Sequence, residues 1–161
     1  RARDLKQKPA LIRGVTQAST RGQEQMTSFY RDGLDSLPEM EMAARRVYAM
    51  AELGPQDIDA ACLYDAFTSE VIMQLESFGF CARGEGKHLV REGALEIDGR
   101  LPNNTHGGLL SEAYIHGMNN IAEGVRLIRG ESTSQPHKTV EHVLVSSGVG
   151  VPTGAMIIGR D

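Results

Sequence analysis

The stretch IDAACLYDAFTSEVIMQLESFGF, residues 58–80, contains a complete strand-to-helix unit. Ile58 to Tyr64 is a short, nearly continuous apolar run, the pattern of a strand buried on both faces. Asp65 stands where a helix cap is expected. Phe67, Val71, Leu75 and Phe78 then share one helical face, and Gly79 ends it. In α/β folds, ligands bind at turns beyond the carboxyl ends of strands. Tyr64 and Asp65 therefore sit at the first place to look for a site.

Upstream, Lys8 to Ala18 reads as a strand and residues 19–35 as a long polar loop. Ser36-Leu37-Pro38-Glu39 matches a capping box, and the apolar spacing from Met40 to Ala51 predicts a helix stopped by Gly54-Pro55. Downstream, residues 81–106 read as loop and hairpin, with Ala94 to Ile97 as strand and Asp98-Gly99 as turn. Asn103-Asn104-Thr105-His106-Gly107-Gly108 precedes the longest predicted helix. Its buried stripe is Leu110, Ala113, Tyr114, Met118, Ile121, Ala122, Val125 and Ile128. Gly117 and Gly124 within it suggest close backbone approach. Val140–Val145 and Ala155–Ile158 form a closing hairpin around a glycine run, Gly148 to Gly154. That run precedes a strand rather than opening a helix, which excludes a dinucleotide fingerprint. The order predicts an α/β domain: a mixed sheet of about five strands, the last antiparallel, with helices on its faces.

Composition narrows the chemistry. The 161 residues are 40% hydrophobic and 24% charged, with a net charge of −4 and scattered arginines, which argues against a nucleic-acid surface. No apolar run reaches the length of a membrane span. Cys62 lies in an apolar run and reads as buried and inert. Cys81, at a helix end, has no evident His partner to make it a nucleophile. His88, His137 and His142 show no metal spacing. The chain opens on Arg1 and reads as one domain, residues 1–161, of a longer protein.

Three blocks resemble the C-terminal half of thiolases, most closely the sterol-carrier and lipid-transfer branch. The first is Asp57-Ile58-Asp59 with Tyr64-Asp65-Ala66-Phe67, where thiolases carry Asn-Glu-Ala-Phe and the lipid-transfer branch His-Asp-x-Phe. The second is Asn104 to Gly108 with Tyr114, at the place of the thiolase Gly-His-Pro histidine. The third is Gly148 to Gly154, where Gly148 occupies the place of the proton-shuttling cysteine. Tyr114 and Gly148 in those places disable Claisen chemistry. Paired tyrosines are instead similar to the thiolase-like retro-aldolases that shorten steroid side chains, and that work with an OB-fold, zinc-ribbon partner.

The resemblance implies a lyase that cleaves a steroid β-hydroxyacyl-CoA of the 17-hydroxy side-chain type into a ketone and propionyl-CoA. It implies Tyr64 and Tyr114 as acid and base, with His106, Gly108, Gly148 and Gly150 around the enolate oxygen. No metal and no cofactor is expected beyond the coenzyme A of the substrate. A thiolase-type homodimer, an OB-fold partner and a cytoplasmic location are expected as well. The alternatives are a divergent acyl-CoA thiolase or acyltransferase, and a non-catalytic lipid-binding subunit. Without the resemblance, Tyr64 is a strand-end ring in packing, Tyr114 a core residue of its helix, Asp65 a helix cap, His106 and His116 surface residues, and Glu112 a solvated one. The catalytic reading requires the two phenol oxygens to converge on one cavity.

Overall fold

In the computed structural model, residues 4–21, 33, 35–149 and 153–161 are described. The elements run β1 (Leu11–Ala18), α1 (Pro38–Ala51), β2 (Ala60–Cys62), α2 (Thr68–Ser77), α3 (Gly86–Arg91), α4 (Met118–Arg129), β3 (His142–Ser147) and β4 (Thr153–Gly159). They build one sheet of order β1-β4-β3-β2. β2 runs parallel to β3, while β4 is antiparallel to both β3 and β1. The final strand is thus the one that opposes the rest, as its closing hairpin predicts.

Strand alternation divides the apolar side chains between two cores. On one face Ala61, Leu144, Ala155 and Ile157 meet Met40, Ala43, Ala44 and Val47 of α1, together with Leu75, Phe78 and Leu89. On the other face Ala60, Cys62, Val143, Val145 and Ile158 pack under Leu127 and Ile128 of α4. The side-chain period of two sends alternate residues of β2 to opposite faces, which is why its sequence is apolar throughout. Gly124 brings α4 down onto the sheet: a Cβ there would lie 3.1 Å from Ile158 Cδ1 and 3.2 Å from Val145 Cγ2. This is the close approach expected of that glycine.

Four expectations are corrected. The sheet has four strands among the described residues, not five. The hairpin expected near Ala94 is instead α3 followed by turns, because Leu89, Ala94 and Leu101 all turn inward to the first core. What remains of a fifth strand is a single parallel bridge, Ala61 to Asn103, with Ala61 N–H donating to the Pro102 carbonyl (2.9 Å). α1 starts at Pro38 with no side-chain cap: buried Leu37 sets its entry, and Ser36 forms no capping box. The longest predicted helix loses its first two turns. α4 begins at Met118 after Gly117, whose φ of +81° breaks a helical path, so Leu110, Ala113 and Tyr114 precede it. Most of the loop expected at 19–35 lies outside the described residues.

Candidate active site

Tyr64 follows β2 at its carboxyl end. Two fully buried side chains fix its backbone. Its N–H donates to Ser146 Oγ of β3 (2.8 Å), and its carbonyl accepts from Gln74 Nε2 of α2 (2.6 Å). Ser146 Oγ in turn donates to Gln74 Oε1 (2.6 Å), which closes the clamp. A polar residue on the apolar stripe of α2, and a serine facing inward from β3, are the sequence signals for this clamp. Both were open to reading from the amphipathic pattern and went unread.

Asp65 does not cap α2. The helix starts after Phe67, without a side-chain cap. Asp65 is buried and turns toward the following loop, accepting from Leu109 N–H (2.9 Å) and Leu110 N–H (3.5 Å). Gly108 makes this possible. Its φ is +71°, and a Cβ there would collide with Asp65 Oδ2. Glycine is the residue that tolerates both constraints.

The loop tied down by Asp65 then delivers Tyr114. Tyr114 is 51% exposed rather than buried in a helix stripe. Its phenol oxygen lies 2.8 Å from that of Tyr64, and the rings meet edge-on with centroids 6.5 Å apart. His116 packs on the other side of Tyr114, with centroids at 4.9 Å. The two hydroxyls, fifty residues apart in sequence, thus share one hydrogen bond. Burial pushes the Tyr64 phenol up to about 12, with help from the Tyr114 hydrogen bond and from the charges of Tyr114, Glu70 and Asp65. Tyr64 is therefore held protonated at neutral pH.

The remaining candidates fall into place around this pair. The His106 side chain is only 4% exposed; its Nε2 faces Asn120 Oδ1 (3.2 Å) and Glu112 Oε2 (3.7 Å). Gly148 follows β3 with φ +70°, two residues beyond Ser146. Gly150 lies outside the described residues. Glu112, expected to be solvated, accepts from Asn119 Nδ2 (3.1 Å). Cys62 is buried as expected, and burial followed by the Glu123 charge raises its thiol. Burial also raises Cys81. Among the described residues no cluster of His, Cys, Asp and Glu could hold a metal ion, and no helix is long and apolar enough to cross a membrane.

A family model, the thiolase C-terminal domain-like family, matches residues 21–159. The chain belongs to the thiolase C-terminal domain-like family. It is 56% identical over its whole length to a steroid side-chain-cleaving aldolase of Thermomonospora curvata, of which it covers 41%. It is 54% identical over 99% of its length to the 17-hydroxy-3-oxo-4-pregnene-20-carboxyl-CoA lyase of Mycobacterium tuberculosis, again covering 41% of that protein. A solved structure of an Ltp2-ChsH2(DUF35) aldolase superimposes with a TM-score of 0.95 at 56% identity, over 99% of this chain and 42% of that one. The SCP2-thiolase like protein type 1 of Mycobacterium smegmatis shares the fold at 19% identity, with a TM-score of 0.66 over 94% of this chain and 29% of that one. This thiolase C-terminal domain-like chain thus spans about two fifths of the length of the curated relatives it matches.

Proposed function

We propose that the chain supplies the acid–base half of a lyase that cleaves a steroid β-hydroxyacyl-CoA of the 17-hydroxy side-chain type into a ketone and propionyl-CoA. The Tyr64–Tyr114 hydrogen bond of 2.8 Å carries this reading. Tyr114, as phenolate, takes the proton of the β-hydroxyl. The C–O bond becomes a carbonyl as the Cα–Cβ bond breaks, and its electrons form the thioester enolate. Tyr64, whose raised pKa keeps it protonated, gives its proton to Cα. The proton now on Tyr114 crosses the shared hydrogen bond to Tyr64, and both phenols return to their starting states.

An enolate needs preorganised donors at its oxygen. The backbone N–H groups of Gly148 and Gly150 are proposed for that role, with Gly108 and His106 as further candidates for contact with the substrate. Exposed Leu110, Ile115 and Met118 flank Tyr114 along the chain and offer apolar surface to a fused-ring substrate. Coenzyme A enters as part of the substrate, with no separate cofactor. The Ltp2-ChsH2(DUF35) aldolase supports a second protein as partner; an OB-fold for that partner, a thiolase-type homodimer and a cytoplasmic location belong to the same proposal.

The full-length enzyme with its partner tests this. Tyr64→Phe and Tyr114→Phe should each lower release of ketone and propionyl-CoA by about 10²–10⁴-fold, the usual scale of a lost acid or base, without unfolding the protein. Unchanged rates would remove the lyase mechanism. A burst of acyl-enzyme would identify an acyltransferase instead.

A further inference from the structure

Tyr114 belongs to no helix or strand, and residues 110–116 are all exposed. Its phenol nonetheless meets that of Tyr64 at hydrogen-bond distance. A phenol on an exposed segment loses rotational and segmental freedom when held there, so something in the fold must fix the segment. Asp65 holds its start through Leu110 N–H, and its middle is reached by Asn119, the second residue of α4, which is buried. Its amide donates to the Ala113 carbonyl (2.9 Å) and to Glu112 Oε2 (3.1 Å). An amide NH₂ has two protons, and both contacts go to the two residues immediately before Tyr114. The next residue, Asn120, turns the other way. Its amide faces the Cys62 carbonyl of β2 (3.4 Å), and its oxygen faces His106. The first turn of α4 therefore ties the Tyr114 segment to the strand that precedes Tyr64.

We infer that Asn119 is a positioning residue that holds Tyr114 against Tyr64, and so sets the distance across which the acid–base pair works. A second observation points the same way. Asn119 Oδ1 is buried without a hydrogen-bond partner. An unmet buried acceptor costs stability, so the amide is oriented by its donors at the expense of its acceptor. Its carbonyl and carboxylate partners lie on exposed residues, where water can replace the amide if it is removed. An apolar side chain of similar volume would thus leave the fold intact and release the segment.

This inference rests on the tyrosine mechanism proposed above, and the test separates the two. In the full-length enzyme with its partner, Asn119→Leu should keep the wild-type thermal midpoint or exceed it. Its kcat should fall about tenfold to a hundredfold, the scale of a misplaced catalytic group, with KM little changed. Glu112→Ala, at an exposed position, should lower kcat several-fold, because the Ala113 contact survives. Both variants should also shift the alkaline ultraviolet titration of Tyr64 in the direction that Tyr114→Phe shifts it. Tyr114→Phe is measured alongside. If it cleaves at the wild-type rate, the tyrosine mechanism falls and the inference with it. If it is inactive while Asn119→Leu and Glu112→Ala both keep wild-type kcat, the positioning role alone is overturned. A lowered thermal midpoint with undiminished kcat per folded molecule has the same meaning: Asn119 is then structural.

Discussion

Tyr64 and Tyr114 present the same chemical group to the same hydrogen bond from opposite kinds of support. Tyr64 stands between a fully buried Leu63 and a buried Asp65, with its N–H and carbonyl both held by buried side chains from two other elements. Tyr114 stands in an exposed segment that is fixed at its ends, by Asp65 through Leu109 and by Asn119 through Ala113. One phenol hangs from a backbone held by buried groups; the other is placed beside it by a loop. The contrast suits a site in which one group keeps a fixed, raised pKa while its partner yields to an incoming substrate. Buried backbone hydrogen bonds open last in a fold, and exposed ones first.

The largest expected contrast is in amide hydrogen exchange. The Tyr64 amide should exchange at least about a thousandfold more slowly than the Tyr114 amide, since local opening free energies range from near zero to the global stability. Equal protection would remove the distinction between core and loop. Next in size is the clamp itself. Gln74→Leu removes the donor to the Tyr64 carbonyl and the acceptor for Ser146, and should cost about 1–3 kcal/mol in chemical denaturation, the usual cost of buried polar groups left unpaired. A loss under a few tenths of a kcal/mol would mean that the Tyr64 backbone is not held by the clamp.

The smallest effect is electrostatic. In the difference between wild type and Tyr64→Phe, the Tyr64 phenol should titrate near 12. Tyr114→Phe removes a hydrogen bond and a charge that raise it, so the value should move down toward the ordinary 10.0. Because the native phenol is harder to ionise than the unfolded one, the contribution of Tyr64 to stability is complete below pH 10.0 and declines as pH rises toward about 12. Titration of Tyr64 unaffected by Tyr114→Phe would contradict the shared hydrogen bond.

Much of the frame was legible because apolar periodicity reports burial directly. The β2–α2 unit, the α1 stripe and the closing antiparallel hairpin all follow from it. The errors lie where periodicity is coincidental. Leu110, Ala113 and Tyr114 continue the spacing of α4, yet the left-handed backbone at Gly117 ends that helix and exposes them. Asp65 sits where a cap belongs, but the positive-φ Gly107-Gly108 turn offers it backbone N–H groups from 44 residues away. The phenol pair was expected from family motifs, not from spacing, and the residues that hold the pair were missed. The inward-facing positions of Gln74 and Ser146 were open to reading, but not their partner Tyr64, 10 and 82 residues away, nor the contact of Asn119 with Ala113 across an irregular segment, because local pattern does not encode partners.

The central claim is that the two phenols act as one proton-relaying unit. A double-mutant cycle in retro-aldol cleavage tests it most directly, with Tyr64→Phe, Tyr114→Phe and the double variant compared in the full-length enzyme. Residues that act as a unit are non-additive, so the double variant should be no slower than the slower single one. Losses that multiply would show two independent roles and would contradict a shared proton.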